Sequence, residues 1–252
     1  MRKIDKANSR QVKRGEEPVA WQVLIAELRG LLATCKSDPE KNEVAREFFD
    51  RLNKQNLRDQ LRNDQRGLCA FCECEITRQS AVEDRRAGIR IAHWLPIHKD
   101  PEGAVRWSNL FASCPGGPYG DSCDAAQGDA DLKIETPAER NHAIFMEFGS
   151  DGSLTIPDQS ILRDAAERLN LMPRPEEEGQ PEDGKRESPH RLTEARAAAI
   201  TGTRKRLEKK FPERTASRDV LLKWWSDVNQ GQTATPHPSA VMAWLKRQAD
   251  RR

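Results

Sequence analysis

Cys69-Ala70-Phe71-Cys72 is a C-x2-C knuckle, and Cys114 with Cys123 makes a second, wider pair. Thiolates carried on two chelating turns suit Zn2+, which wants four soft ligands in a tetrahedron. A structural site of this kind can contribute roughly 10 kcal/mol or more to folding. The spacing therefore predicts one structural zinc on Cys69, Cys72, Cys114 and Cys123. Pro115-Gly116-Gly117-Pro118-Tyr119-Gly120 reads as a loop inserted between the halves of the second pair. Cys74 sits too close to Cys72 to be an ideal co-ligand and is read as a bystander. Cys35 stands apart, near the end of an apolar helix, as a small core residue.

Between the two pairs lie Ile91-Ala92-His93-Trp94-Leu95-Pro96 and Trp107-Ser108-Asn109-Leu110, and Asp124 follows the last cysteine. This order resembles the HNH, or ββα-metal, endonucleases over roughly residues 68–135. In that family a strand carries the first His, a loop the Asn, and a helix the third residue just after the second knuckle. The flanks narrow the resemblance. The start Met1-Arg2-Lys3-Ile4-Asp5-Lys6, the phrase Leu61-Arg62-Asn63-Asp64-Gln65-Arg66-Gly67-Leu68-Cys69-Ala70-Phe71-Cys72-Glu73 and Arg168-Leu169-Asn170-Leu171 look like the HNH subunit of Septu-type and retron-associated anti-phage systems. Proteins of that kind are implied to cleave DNA beside an ABC-like ATPase, as a hetero-oligomer.

The resemblance implies roles. His93 is the expected general base on water, and an imidazole with a reference pKa near 6.5 suits that work at neutral pH. Asn109 is expected to hold the His-bearing loop through its side-chain amide. Asp124 is the expected ligand of a catalytic Mg2+ or Mn2+, through a hard carboxylate oxygen. Two positions depart from the pattern. Ala92 stands where the family has the Glu or Asp that binds the cation, and Gln127 replaces its usual phosphate-contacting lysine. Asp121 and Glu73 are candidate further donors to the cation, although nothing in the sequence places them at the site. The rival reading is a degenerate HNH zinc scaffold that docks the ATPase or binds nucleic acid without cutting. Taken without the resemblance, His93 is a satisfied strand histidine, Asn109 a turn cap and Asp124 an N-cap. His98 and His142 are not assigned as ligands.

These residues need elements to hold them. Residues 18–32 read as an apolar helix. A second helix is expected from Ser37 as N-cap with Pro39 in its first turn, its stripe Val44, Phe48, Leu52, Leu57 and Leu61 running on toward Gly67. Residues 89–95 alternate as a strand and end at Pro96. Residues 144–156 read as a β-hairpin with glycines flanking its turn, and Asp158 as the cap of a helix through Leu171. Three helices are expected near 190–211, 216–229 and 237–250, with Trp224, Trp225 and Trp244 on apolar stripes. The expected fold is α+β, mainly helical, with a ββα zinc-knuckle core between helical flanks. The domains read as a basic arm and helices over 1–67, the nuclease-like core with hairpin and helix over 68–172, a disordered linker over 173–189, and basic helices over 190–252.

Composition sets the outer bounds. The 252 residues are 33% charged and 36% hydrophobic with a net charge of +2, and mean hydropathy is −0.83. No run of about 20 apolar residues exists, which excludes a membrane-spanning helix. The first residues lack an apolar h-region, so a cytoplasmic protein without a disulfide framework is expected. Charge is uneven: residues 1–14 hold six Lys/Arg against one Asp, and residues 190–252 hold 14 against six Asp/Glu. The basic ends are the expected contacts for nucleic acid or an acidic partner. The tryptophan stripes beside the C-terminal charge predict a docking element for the ATPase.

Overall fold

The computed structural model describes residues 1–4, 6, 19–76, 88–116, 122–157, 160–172, 188–212, 216–233 and 235–252. Three helices come first, α1 (Val19–Leu32), α2 (Asp38–Asp50) and α3 (Lys54–Asp64). Ser37 caps α2 by accepting from the Glu40 N–H at 3.4 Å, with Pro39 in the first turn. The single helix expected beyond Ser37 is two. Asn53 takes an extended conformation and its side chain accepts from the Asn56 N–H at 3.1 Å. That cap starts α3 afresh, so a local polar bond interrupts an apolar stripe that continues through it.

The strands β1 (Arg90–His93) and β2 (Leu110–Ser113) pair antiparallel, with Arg90 opposite Ser113 and His93 opposite Leu110. All four residues of β2 are buried, under α3 and the aromatic cluster that the knuckle's Phe71 joins. Trp94 stacks on Phe71 with centroids 5.5 Å apart and meets Phe111 edge-on at 5.7 Å. A single helical turn, α4 (Asp124–Gln127), follows the last cysteine. The second hairpin is shorter than expected: only Glu147–Phe148 (β3) and Leu154–Thr155 (β4) pair, and Ile144 and Phe145 lie in a 3-10 turn. Gly152 in its turn has φ +84°, and a Cβ there would collide with the Thr193 carbonyl. Only glycine allows that approach.

The remaining helices are α5 (Ser160–Arg168), α6 (Ser188–Lys210), α7 (Arg218–Asn229) and α8 (Pro238–Asp250). The expected Asp158 cap, residues 173–187 of the expected linker and most of the basic arm fall outside the described residues, and Ser188 and Pro189, expected in the linker, begin α6. Two cores result. Leu28, Leu32 and Ala45 of α1 and α2 close over Ile97, Ala104 and Val105. The larger core joins Leu57, Leu61, Phe71, Phe111 and the four knuckle cysteines to Leu221, Val241, Trp244 and Leu245. The C-terminal helices thus share one core with the knuckle. Trp244 is buried and Trp224 and Trp225 pack partly against that core. The tryptophan stripes expected to dock a partner are thus packed wholly (Trp244) or in part (Trp224, Trp225) on the chain's own core. Among the described residues no helix is long and apolar enough to cross a membrane.

Candidate metal centre and histidine site

Two turns bring the cysteines together. The knuckle folds back on itself through Cys69 N–H to Cys74 C=O at 2.9 Å and Glu73 N–H to Cys69 C=O at 3.1 Å. Glu73 lies in the left-handed region at φ 64°, a conformation knuckles usually give to glycine. Cys123, at φ 58°, is tied to α5 by its N–H to Leu169 C=O at 2.9 Å. The result is a cluster in which Sγ of Cys69, Cys72, Cys114 and Cys123 all lie within 4.8 Å of one another, every residue buried. Cys72 and Cys114 sulfurs are 3.8 Å apart, and those of Cys114 and Cys123 3.6 Å. A zinc–sulfur bond of about 2.3 Å gives a tetrahedral edge of about 3.8 Å, so these separations fit the ion.

Electrostatics point the same way. Burial pushes the Cys69 thiol up, but its thiol neighbours bring it well below the ordinary range. Cys114 is brought down to about 5, chiefly by Cys123. Cys72 and Cys123 are each pushed up, chiefly by Cys114. Four buried thiols cannot all ionise beside one another, and a cation is what lets them do so. Four buried cysteines here lie close enough to bind a metal such as zinc. Cys74 is half-buried, and Cys114 and Cys69 push its thiol up, which leaves it protonated beside the cluster.

His93 stands at the other end of the strand pair. Its ring meets Phe49 of α2 edge-on at 4.6 Å, and Nε2 lies 3.1 Å from the Ala104 carbonyl. A carbonyl only accepts, so the proton sits on Nε2 and Nδ1 keeps its lone pair. Burial lowers the imidazole pKa to about 4, with Lys54 and Arg46 adding to it. The ring is neutral at pH 7. Asn109 is buried and bridges three backbone groups: Nδ2 donates to Leu95 C=O and Gly103 C=O, both at 3.0 Å, and Oδ1 accepts from Leu95 N–H at 2.8 Å. It ties the turn after His93 to the loop that supplies Ala104.

Asp124 is not brought to His93. Its carboxylate holds the Arg90 guanidinium at 2.9 Å, at the cysteine end of β1. Burial pushes its pKa up and Arg90 partly reverses that. Side chains alternate along a strand, so Arg90 and Ala92 share one face and Ile91 and His93 the other. Ala92 is fully buried opposite Phe111. Among the described residues the cysteine cluster is the only group of three or more His, Cys, Asp or Glu side chains placed to hold a metal. Glu73 is committed elsewhere, Asp121 lies outside the described residues, and His98 is exposed. His142 is buried against Trp94, its Nε2 2.8 Å from Glu135 C=O.

Other polar residues complete the site without any sequence signal of their own. Gln127 Nε2 donates to Trp94 C=O at 2.8 Å and to His93 C=O at 3.2 Å, pinning α4 along β1. Gln65 pairs with Ala112 through both amide atoms at 2.7 Å, like an added strand. Glu73 accepts from Ser239 Oγ at 2.7 Å and Ser239 N–H at 2.9 Å, and its Oε1 lies 3.5 Å from the Met1 ammonium. His237 Nδ1 meets Cys72 C=O at 2.8 Å. Partners 165 residues apart leave no local pattern. No protein-family model matches the chain, and no curated protein matches it.

Proposed function

We propose that this chain is the HNH-type endonuclease subunit of an anti-phage system, hydrolysing DNA phosphodiesters under the control of an ABC-like ATPase. The observation that carries the reading is the pair His93 and Asn109 on a hairpin whose other end is a four-cysteine centre. His93 is neutral and proton-bearing only at Nε2, so Nδ1 can take a proton from the water that attacks phosphorus. Asn109 fixes the turn from which His93 projects. The family implies a divalent cation, Mg2+ or Mn2+, that stabilises the leaving oxygen. Asp124, whose carboxylate now holds Arg90, is the residue that would ligate it.

A second reading, a zinc scaffold that docks the ATPase or nucleic acid without cutting, is favoured by one observation. Arg90 occupies the carboxylate of Asp124 on the face where Ala92 offers no ligand. A nicking assay of the chain with its ATPase, in Mg2+ and in Mn2+, separates the two. The nuclease reading expects cleavage in wild type and its loss, by about 100-fold or more, in His93→Ala. Equal products from both proteins would remove His93 from the chemistry, and no cleavage from either would favour the scaffold.

A further inference from the structure

Arg196 projects from α6 into the core beside the cysteine knuckle, and it is only 3% exposed. Nη2 donates to Leu171 C=O at 2.9 Å, and the guanidinium lies 5.7 Å from the Phe148 ring centre. Nη1 has no hydrogen-bond partner among the described residues. The arginine shares with Cys72, Glu73 and His237 a cavity of about 10 Å3, room for about one water. An unmatched buried guanidinium is costly, and its removal from water needs a compensating negative charge.

The carboxylates nearby are shared with other cations and donors. Glu73 is matched by the Met1 ammonium and two Ser239 donors, and Asp124 by Arg90. What remains is the cysteine centre itself. Four thiolates on one Zn2+ leave two uncompensated negative charges in a buried place. Burial disfavours the Arg196 charge, and the cavity it shares with Cys72 puts it beside the centre.

We propose that Arg196 is the buried counter-charge of the metal–thiolate centre, so that metal binding at the knuckle and docking of α6 are linked. The inference rests on the metal reading of the four cysteines and is independent of the nuclease reading. A ligand that favours the docked state is itself favoured by docking, to the same extent. Arg196 is a positioning residue in this sense: it touches neither substrate nor metal, and it sets the field in which the thiolates hold the ion.

The test uses the full chain carrying zinc, and the same chain loaded with Co2+. Arg196→Met keeps the volume and removes the charge. It should weaken zinc retention against a competing chelator by about 10- to 100-fold. It should also move the thiolate-to-Co2+ charge-transfer band to lower energy, since thiolates stripped of a nearby cation give up an electron more easily. Arg196→Lys should restore the band most of the way. Leu207→Ala, which thins the same helix in the core, should lower thermal stability and leave the band in place. Should Arg196→Met not fold, Arg196→Gln, which keeps a donor for Leu171 C=O, makes the same comparison. A neutral variant with wild-type zinc retention and an unmoved band would overturn the proposal, as would Leu207→Ala shifting the band equally. A folded wild-type chain that takes up no metal would remove the metal reading and this inference together.

Discussion

The two ends of the β1–β2 ladder differ in completeness. At the Ser113 end, four sulfurs lie within 4.8 Å of one another, two of the separations at 3.6 and 3.8 Å, and Glu73 and Asp124 nearby are each matched by a cation. At the Leu110 end, His93 is oriented and held neutral, while among the described residues Asp124 holds Arg90 and Asp50 holds Lys54. A structural centre closes its coordination within the protein, whereas a catalytic one leaves positions for water and substrate. The contrast teaches that one hairpin can be closed by its own side chains at one end and carry a buried, oriented imidazole at the other. Gln127 and Asn109 are the mechanical links, fixing His93 through backbone carbonyls and not through its ring.

Breaking the clamp should have the larger effect. Asn109→Ala would strand the part-buried Leu95 N–H and C=O and take from the Gly103 carbonyl one of its two donors, the Arg106 N–H remaining. Each unmade bond of this kind costs about 1–3 kcal/mol, and because the three are coupled the whole should cost about 2–4 kcal/mol. Urea unfolding would register that loss, while bound zinc per folded chain should be unchanged. Loss of the metal with the clamp would show that the two ends are not separable.

A smaller effect concerns His93 and pH. Its folded pKa, about 4, lies below the ordinary 6.5 because the ring is buried. The unfolded chain therefore takes up a proton that the folded chain refuses, and stability contributed by the neutral ring is lost as pH falls from about 6.5 toward 4. It is fully present above that window. Compared with wild type, His93→Gln should lose less stability across that interval and differ by about 1 kcal/mol or less at pH 8. Parallel pH–stability curves for the two proteins would mean that His93 titrates as if exposed.

The cysteine centre was legible because its information is local: two chelating pairs imply a metal before any fold is known. The hairpin and the Ser37 cap were legible for the same reason, since alternation and capping act over a few residues. The break at Asn53 was hidden because the apolar stripe runs through it, and periodicity outweighed a single capping amide. The roles of Glu73, His237 and Arg196 were not legible. Each partners a segment distant in the chain, and an acidic or basic residue gives no sign of being buried until its partner is in place. Ala92 and Gln127 were readable as departures, but the structural work of Gln127 on β1 was not.

The centre is tested most directly by counting metal and protected thiols on the same purified, folded chain. Elemental analysis with alkylation before and after denaturation gives both. The account predicts about one zinc per chain, with Cys69, Cys72, Cys114 and Cys123 protected in the native state and Cys35 open to reagent. Cys114→Ser should lose the metal and expose the remaining thiols. A folded wild-type chain with no bound metal, in which all four of those thiols react at the rate of Cys35, would contradict it.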